Sequence, residues 1–282
     1  MTGLAGVHPA LADTCRAATD ALAEAQRRYG RDELSAETRI GADGTPTMLI
    51  DDLVEARILD VARGHGVNVL SEEAGFVDRG SALTLVVDPV DGSANAAAGV
   101  PLSCYSAALL DDGRPVEALT CWLETGRTIS ARVGRPVPYR TSGARRLAGR
   151  ALSMLRPKVG ARGDTADTWL RLSRRAGRVR ILSSSCLEAM LVATGAIDAF
   201  ADPGSDTHRL VDLAAAMVIM PAAGGFVGDA FGRPLVFDHD LTLRYSGVVA
   251  ATEELAAEIV TEIRAGDEGS RTTGPADPVV VR

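Results

Sequence analysis

Leu11, Cys15, Ala18, Leu22, Ala25 and Tyr29 recur at alternating steps of four and three. That spacing lines one face of an α-helix with apolar groups, and the helix ends near Gly30. Ile50, Val54, Ile58 and Val61 repeat in the same way and predict a second amphipathic helix from about Asp51 to Ala62. The pattern then changes to short apolar runs: Val67–Leu70, Leu83–Val87, Tyr105–Leu110, Glu117–Leu123 and Thr128–Val133. These read as strands, and Asp111-Asp112-Gly113 marks a hairpin turn between two of them. From Arg135 to Arg150 the chain is rich in Gly, Pro and Arg, a composition suited to a boundary. Beyond it, helix and strand patterns alternate: Thr165–Ala176 helix, Val179–Ser183 strand, Cys186–Thr194 helix, Ile197–Ala201 strand. Asp212–Ala223 then reads as helix, Gly247–Ala251 as strand and Glu253–Arg264 as helix.

This predicts an α/β protein in which a more antiparallel half precedes an α/β half. We expect an N-terminal α+β subdomain over 1–150, a C-terminal α/β subdomain over 151–265, and a mobile tail over 266–282, where Gly, Pro and charged residues predominate.

The densest chemistry lies in Val86-Val87-Asp88-Pro89-Val90-Asp91-Gly92-Ser93-Ala94-Asn95. A buried strand is expected to deliver Asp88 where it leaves the sheet, with Pro89 ending it. Carboxylates at Asp88 and Asp91 suit a hard cation such as Mg²⁺, Mn²⁺ or Ca²⁺. Gly92 lets the backbone approach a ligand, and the N–H groups of Gly92, Ser93 and Ala94 suit an anion. Taken alone, the same residues make a good turn. Glu72-Glu73 follows the Val67–Leu70 run, so Glu72 shares a cation with Asp88 if the two strands end on one edge. Asp51 stands near a helix start, where it favours the dipole or holds a water. Asp212 opens a small, apolar helix, for which capping is the simplest role.

In their order, Glu72-Glu73, Asp88-Pro89-Val90-Asp91-Gly92-Ser93, and Asp212 through Ala223-Gly224-Gly225 resemble the inositol monophosphatase and fructose-1,6-bisphosphatase superfamily of metal-dependent phosphatases. Gly41-Ala42-Asp43-Gly44-Thr45-Pro46-Thr47, with Ser71 to Phe76, is most similar to the archaeal-type branch, whose members can act on both inositol phosphate and fructose bisphosphate. The resemblance spans roughly residues 8 to 262. It implies the layered αβαβα fold, two or three Mg²⁺ ions and a homodimer. The implied metal ligands are Glu72, Asp88, the Val90 carbonyl, Asp91 and Asp212. Phosphate falls to the backbone of Gly92, Ser93 and Ala94. Asp51 and Ser93 orient the attacking water, with Glu73 in support. Arg209 and Ser205 fall beside the alcohol part of the substrate.

The chain departs from the family pattern at Val211, where Trp is common, and at Ala96-Ala97-Ala98, where an aromatic usually follows Asn95. Ala222 replaces the common Glu of the helix end, and Met48 a common Thr or Lys. These changes bear on the substrate and spare the metal ligands. The expected substrate is a small polyol or sugar phosphomonoester, inositol 1-phosphate or a sugar phosphate, with fructose 1,6-bisphosphate also in view. The alternatives are a 3'-phosphoadenosine 5'-phosphate phosphatase and a catalytically inactive regulatory homologue.

Composition narrows the classes further. In 282 residues, 30 basic against 37 acidic side chains give a net charge of −7, which argues against nucleic-acid binding. Cys15, Cys104, Cys121 and Cys186 are scattered, the pattern of reduced core thiols. No apolar run is long enough to span a membrane and no signal peptide is apparent, so a cytoplasmic enzyme is expected.

Overall fold

The computed structural model describes residues 4–160 and 162–272, with side chains described as far as residue 266. Helix α1 (Pro9–Arg28) and the single turn α2 (Arg31–Leu34) precede a hairpin of β1 (Glu37–Ile40) and β2 (Pro46–Met48). Helix α3 (Leu49–Gly64) follows, then β3 (Asn68–Ser71), β4 (Gly75–Val77), β5 (Leu83–Asp91) and the short α4 (Ser93–Ala98). Strands β6 (Cys104–Asp111), β7 (Arg114–Trp122) and β8 (Arg127–Arg132) complete the first half. The second half contains β9 (Ala151–Met154), β10 (Val159–Gly160), β11 (Gly163–Asp164), α5 (Ala166–Arg175), β12 (Arg178–Arg180) and α6 (Ser185–Ala193). It ends with β13 (Ala199–Ala201), α7 (Leu210–Ala222), β14 (Phe226–Asp229), β15 (Gly247–Ala250) and α8 (Glu253–Thr272).

Two larger sheets result. The first has six strands in the order β4-β3-β5-β6-β7-β8, with β3 parallel to β5 and the other pairs antiparallel. The second has five strands, β12-β9-β13-β15-β14, with β12, β9 and β13 mutually parallel. The period-two alternation of β5 explains the layering. Leu85 and Val87 join Leu11, Leu22, Ile50, Val54 and Ile58 of α1 and α3 on one face. Val86 joins Leu187, Met190, Val211 and Ile219 of α6 and α7 on the other. The same α6–α7 cluster takes in Phe200 and Val249 of the second sheet. The far face of that sheet packs Leu152, Ala199 and Val248 against Leu255 and Ile259 of α8 and Leu172 of α5. The layers therefore run αβαβα, as the resemblance implies.

Most predicted elements lie where the patterning puts them. The hairpin turn is one: Asp112 and Gly113 both have positive φ, 46° and 76°, as a tight two-residue turn requires. Five local readings change. Strand β5 does not stop at Pro89 but continues to Asp91; the ladder with β6 shifts between Asp88 and Asp91, so the missing proline N–H falls at an irregularity. The hairpin β1–β2 escapes the pattern because all four β1 residues are exposed. Strand β9 follows directly on the boundary segment, and Ser93–Ala98 forms a helical turn inside the motif. The tail expected from Gly266 begins inside α8, whose backbone runs to Thr272; residues 273–282 lie outside the described residues.

The four cysteines are buried, and none forms a disulfide among the described residues. Among the described residues, no helix is long and apolar enough to cross a membrane.

Candidate functional site

Parallel pairing of β3 with β5 aligns Ser71 with Val87, so the next residues, Glu72 just past β3 and Asp88 still within β5, come side by side. Asp88 shares the parity of Val86 and points to the α6–α7 face, where Asp212 stands in the first turn of α7. Carboxylate oxygens of Glu72, Asp88 and Asp212 lie within 4.8 Å of one another. One Asp88 oxygen is buried with no hydrogen-bond partner. Burial, with Asp91, Asp212 and Asp51 nearby, pushes the Asp88 carboxyl well above its usual range. Clustered buried carboxylates with an unsatisfied oxygen fit a hard divalent cation, which would remove both penalties. The residues present therefore fit the metal that the sequence motif implies.

Asp91 is anchored differently. Its carboxylate accepts hydrogen bonds from Ser184 Oγ at 2.5 Å, Ser185 N at 3.0 Å, Cys186 N at 2.8 Å and Leu187 N at 3.4 Å. A strand-end aspartate thus satisfies the free N–H groups at the start of α6. Burial lifts its pKa to about 6, and the Ser184 hydroxyl works against that rise. Asp91 also shares a second cluster with Asp88 and Cys186, again within 4.8 Å.

Gly92 turns the chain into α4 with φ at 86°. A Cβ there would lie 2.8 Å from the Leu102 carbonyl and 3.2 Å from Ser184 Cβ, so the corner needs glycine on both counts. The first-turn N–H groups of Ser93 and Ala94 have no carbonyl to meet within α4, and Ala94 is exposed. Ser93 Oγ lies 2.9 Å from the Val90 carbonyl. The hydroxyl also stands near enough to Asp51 to favour its charged form.

Asp51 occupies the third position of α3 and accepts from Met48 N at 3.3 Å. Burial raises its pKa to about 6 against the opposing Ser93 hydroxyl and Met48 N–H. Glu73 is buried beside it, hydrogen-bonded by Thr47 Oγ1. Burial again leads the causes, with Asp51 and Glu55 adding to it, and lifts Glu73 to about 7.

Arg209 lies among the carboxylates. Its guanidinium bonds Asp43 Oδ2 at 2.9 Å, Asp212 Oδ1 at 3.0 Å and Glu72 Oε1. Burial works against the charge on Asp212, but Arg209 and His208 outweigh it and hold the carboxyl below its usual range. Ser205, expected at the substrate, is instead buried, with its hydroxyl 2.7 Å from Asp202 Oδ1 and 2.8 Å from Thr207 Oγ1. Its loop folds around Asp202, which also accepts from the backbone N–H groups of Gly204, Ser205 and Thr207. His208 is buried too, against Ser185 Oγ at 3.1 Å and Gly247 N at 3.2 Å.

Several positioning residues escaped sequence reasoning. Asn95 Nδ2 donates to the Leu102 carbonyl at 2.9 Å and the Leu182 carbonyl at 2.8 Å, tying α4 to the second half. Glu55 accepts from Ala74 N at 3.1 Å, and Arg39 donates to the Glu73 carbonyl at 2.8 Å, so both shape the glutamate loop. Arg244 donates to the Asp43 carbonyl at 2.9 Å. Apart from Asn95 with Leu102, seven residues on, each contact spans 19 residues or more, and no local pattern names the partner.

The model of the inositol monophosphatase family matches residues 8–268. The fructose-1,6-bisphosphatase/inositol-1-monophosphatase of Thermococcus kodakarensis is 30% identical over 239 residues, 84% of this chain and 90% of the relative. The fructose-1,6-bisphosphatase of Pyrococcus furiosus is 29% identical over 235 residues, 83% of this chain and 89% of the relative. A crystal structure of an inositol monophosphatase–fructose 1,6-bisphosphatase is similar at a TM-score of 0.76 and 27% identity, covering 88% of this chain and 96% of its own.

Proposed function

The chain belongs to the inositol monophosphatase family, and from that membership we propose that it hydrolyses a small polyol or sugar phosphomonoester with Mg²⁺. Inositol 1-phosphate and hexose phosphates head the substrate class, with fructose 1,6-bisphosphate included. The observation that carries this reading is the convergence of Glu72, Asp88 and Asp212 within 4.8 Å, with one Asp88 oxygen unsatisfied.

Glu72, Asp88, Asp212, Asp91 and the Val90 carbonyl would hold the cations; Mn²⁺ fits the same oxygen donors. Bound there, the cations supply Lewis-acid activation of water and neutralise charge on the phosphoryl group. The protein's own groups do the rest. The N–H groups of Gly92, Ser93 and Ala94 hold phosphoryl oxygens at the α4 corner. Ser93 Oγ orients the attacking water by accepting a hydrogen bond from it; as the hydroxyl takes the water's proton it turns from the Val90 carbonyl and gives its own to Asp51. A carboxyl with a pKa of about 6 is mostly ionised at neutral pH and still basic enough for that transfer. Glu73, hydrogen-bonded to Thr47, holds the Gly41–Thr47 turn against the site.

The surroundings favour a polyol over a nucleotide. Tyr105 points its hydroxyl at Thr14, 2.7 Å away in the core. Phe200 packs edge-on to His208, Trp169 packs in the α8 cluster, and Phe76 stacks on His239 at 3.6 Å. Each of these rings already has a packing partner elsewhere in the fold, which supports the polyol reading. A homodimer, supported by the family resemblance, and a cytoplasmic location complete the reading.

The test is phosphate release from inositol 1-phosphate, fructose 1,6-bisphosphate, hexose phosphates and 3'-phosphoadenosine 5'-phosphate. Activity should vanish in EDTA and return with Mg²⁺. Ser93→Ala and Asp51→Asn should lower kcat far more than they raise KM. Turnover by metal-stripped protein would sink the mechanism. A preference for the nucleotide of about 100-fold, far more than one lost contact explains, would overturn the substrate class.

A further inference from the structure

Arg209 accounts for a problem that the carboxylate cluster creates. Glu72, Asp88, Asp91 and Asp212 meet in a mostly buried space, and Asp43 and Asp51 border it. Like charges so placed repel one another and destabilise the metal-free fold. The guanidinium addresses Glu72 and Asp212, two of the three carboxylates that converge within 4.8 Å. It engages both Asp212 oxygens, Oδ1 through Nη2 at 3.0 Å and Oδ2 through Nε at 3.3 Å. The Arg209 side chain is only 18% exposed.

We propose that Arg209 is a built-in counter-ion for the metal ligands, offsetting part of the negative charge of Glu72 and Asp212 in the metal-free protein and giving them up when a divalent cation binds. This rests on the reading that these carboxylates hold metal. A cation entering between Glu72, Asp88 and Asp212 competes for the same oxygens and meets a positive charge. Arg209 therefore stabilises the empty fold and weakens metal binding. The displaced side chain keeps a partner, because Asp43 is held separately by Arg244 and the turn through Thr45. The helix start also survives, since the Arg209 backbone N–H still meets Asp212 Oδ2 at 2.7 Å. Metal loading is thus a cation exchange within one cluster, with the guanidinium left on Asp43.

The experiment measures equilibrium Mn²⁺ binding by calorimetry, and melting temperature in EDTA, for the full chain and three variants. Arg209→Gln should bind Mn²⁺ about tenfold more tightly, the scale of one hydrogen bond between charged groups. It should also melt lower than the wild type in EDTA and gain more from added Mn²⁺. Arg209→Lys, which keeps charge but not the forked geometry, should fall between. Arg244→Gln, which loosens only Asp43, should leave Mn²⁺ affinity unchanged. Unchanged or weaker affinity in Arg209→Gln, with wild-type binding intact, overturns the counter-ion role and leaves the metal assignment standing. Absence of Mn²⁺ binding in the wild type overturns both.

Discussion

Asp212 serves a helix and a cluster with the same two oxygens. Oδ2 accepts the Arg209 backbone N–H at the start of α7, and the carboxylate also faces Asp88 and Glu72. These duties separate in one substitution. Asn accepts the N–H almost as well as Asp, so Asp212→Asn keeps the helix start. It also weakens the contact with Arg209 while relieving repulsion from Asp88, two changes of opposite sign. We predict a melting temperature within about 3 °C of the wild type in metal-free protein. Turnover with Mg²⁺ should fall by about 100-fold or more. Near-normal kcat would leave Asp212 only its helix-start role.

Among the elements, α6 is the most constrained. Its first turn lies on Asp91, and Glu188, one position further on, is fully buried. Glu188 Oε1 takes the Ser153 hydroxyl and Leu182 N, whereas Oε2 has no partner. Burial raises its pKa to about 8, opposed by the Ser153 hydrogen bond. The folded state therefore holds a proton that the unfolded state has released above pH 4.5. Stability from this group is fully present below that pH and is lost as pH rises to about 8. Gln keeps the Oε1 contacts and carries no charge. Accordingly, the melting temperature of Glu188→Gln minus that of the wild type should grow between pH 6 and pH 9. A difference that stays flat across that range would show that Glu188 does not titrate there. The sequence made α6 legible as a helix, since Cys186 to Thr194 is almost wholly apolar. Its partner at the N-terminus was not legible, because Asp91 lies 95 residues before Cys186. Hairpin β1–β2 was missed for a different reason: an exposed strand has no apolar alternation to betray it.

At the scale of the whole molecule, the site draws on several layers at once. Glu72 and Asp88 come from the first sheet, Asp51 from the outer helix layer, and Asp212 from α7 in the middle. The ordered motifs made most of these residues readable, and the strand edge shared by Glu72 and Asp88 followed from two apolar runs. The position of Arg209 inside the cluster was not readable. Its partners Asp43 and Glu72 lie 166 and 137 residues away, and no local pattern records such contacts. Layering has a further consequence for the subdomains expected on either side of residue 150. Helices α6 and α7 bury Val211, Leu187 and Ile219 against the first sheet and share a core with Phe200 and Val249 of the second. The middle layer has no face to spare. A break between Arg135 and Pro136, both exposed, would cut no element yet would strand an apolar sheet face on one piece and an apolar helix face on the other. Neither fragment should unfold cooperatively alone, and co-expression should restore both a single melting transition and phosphate release. A lone fragment with its own sharp transition would refute this, and would make the two halves separable inventions rather than complements that exist only as a pair.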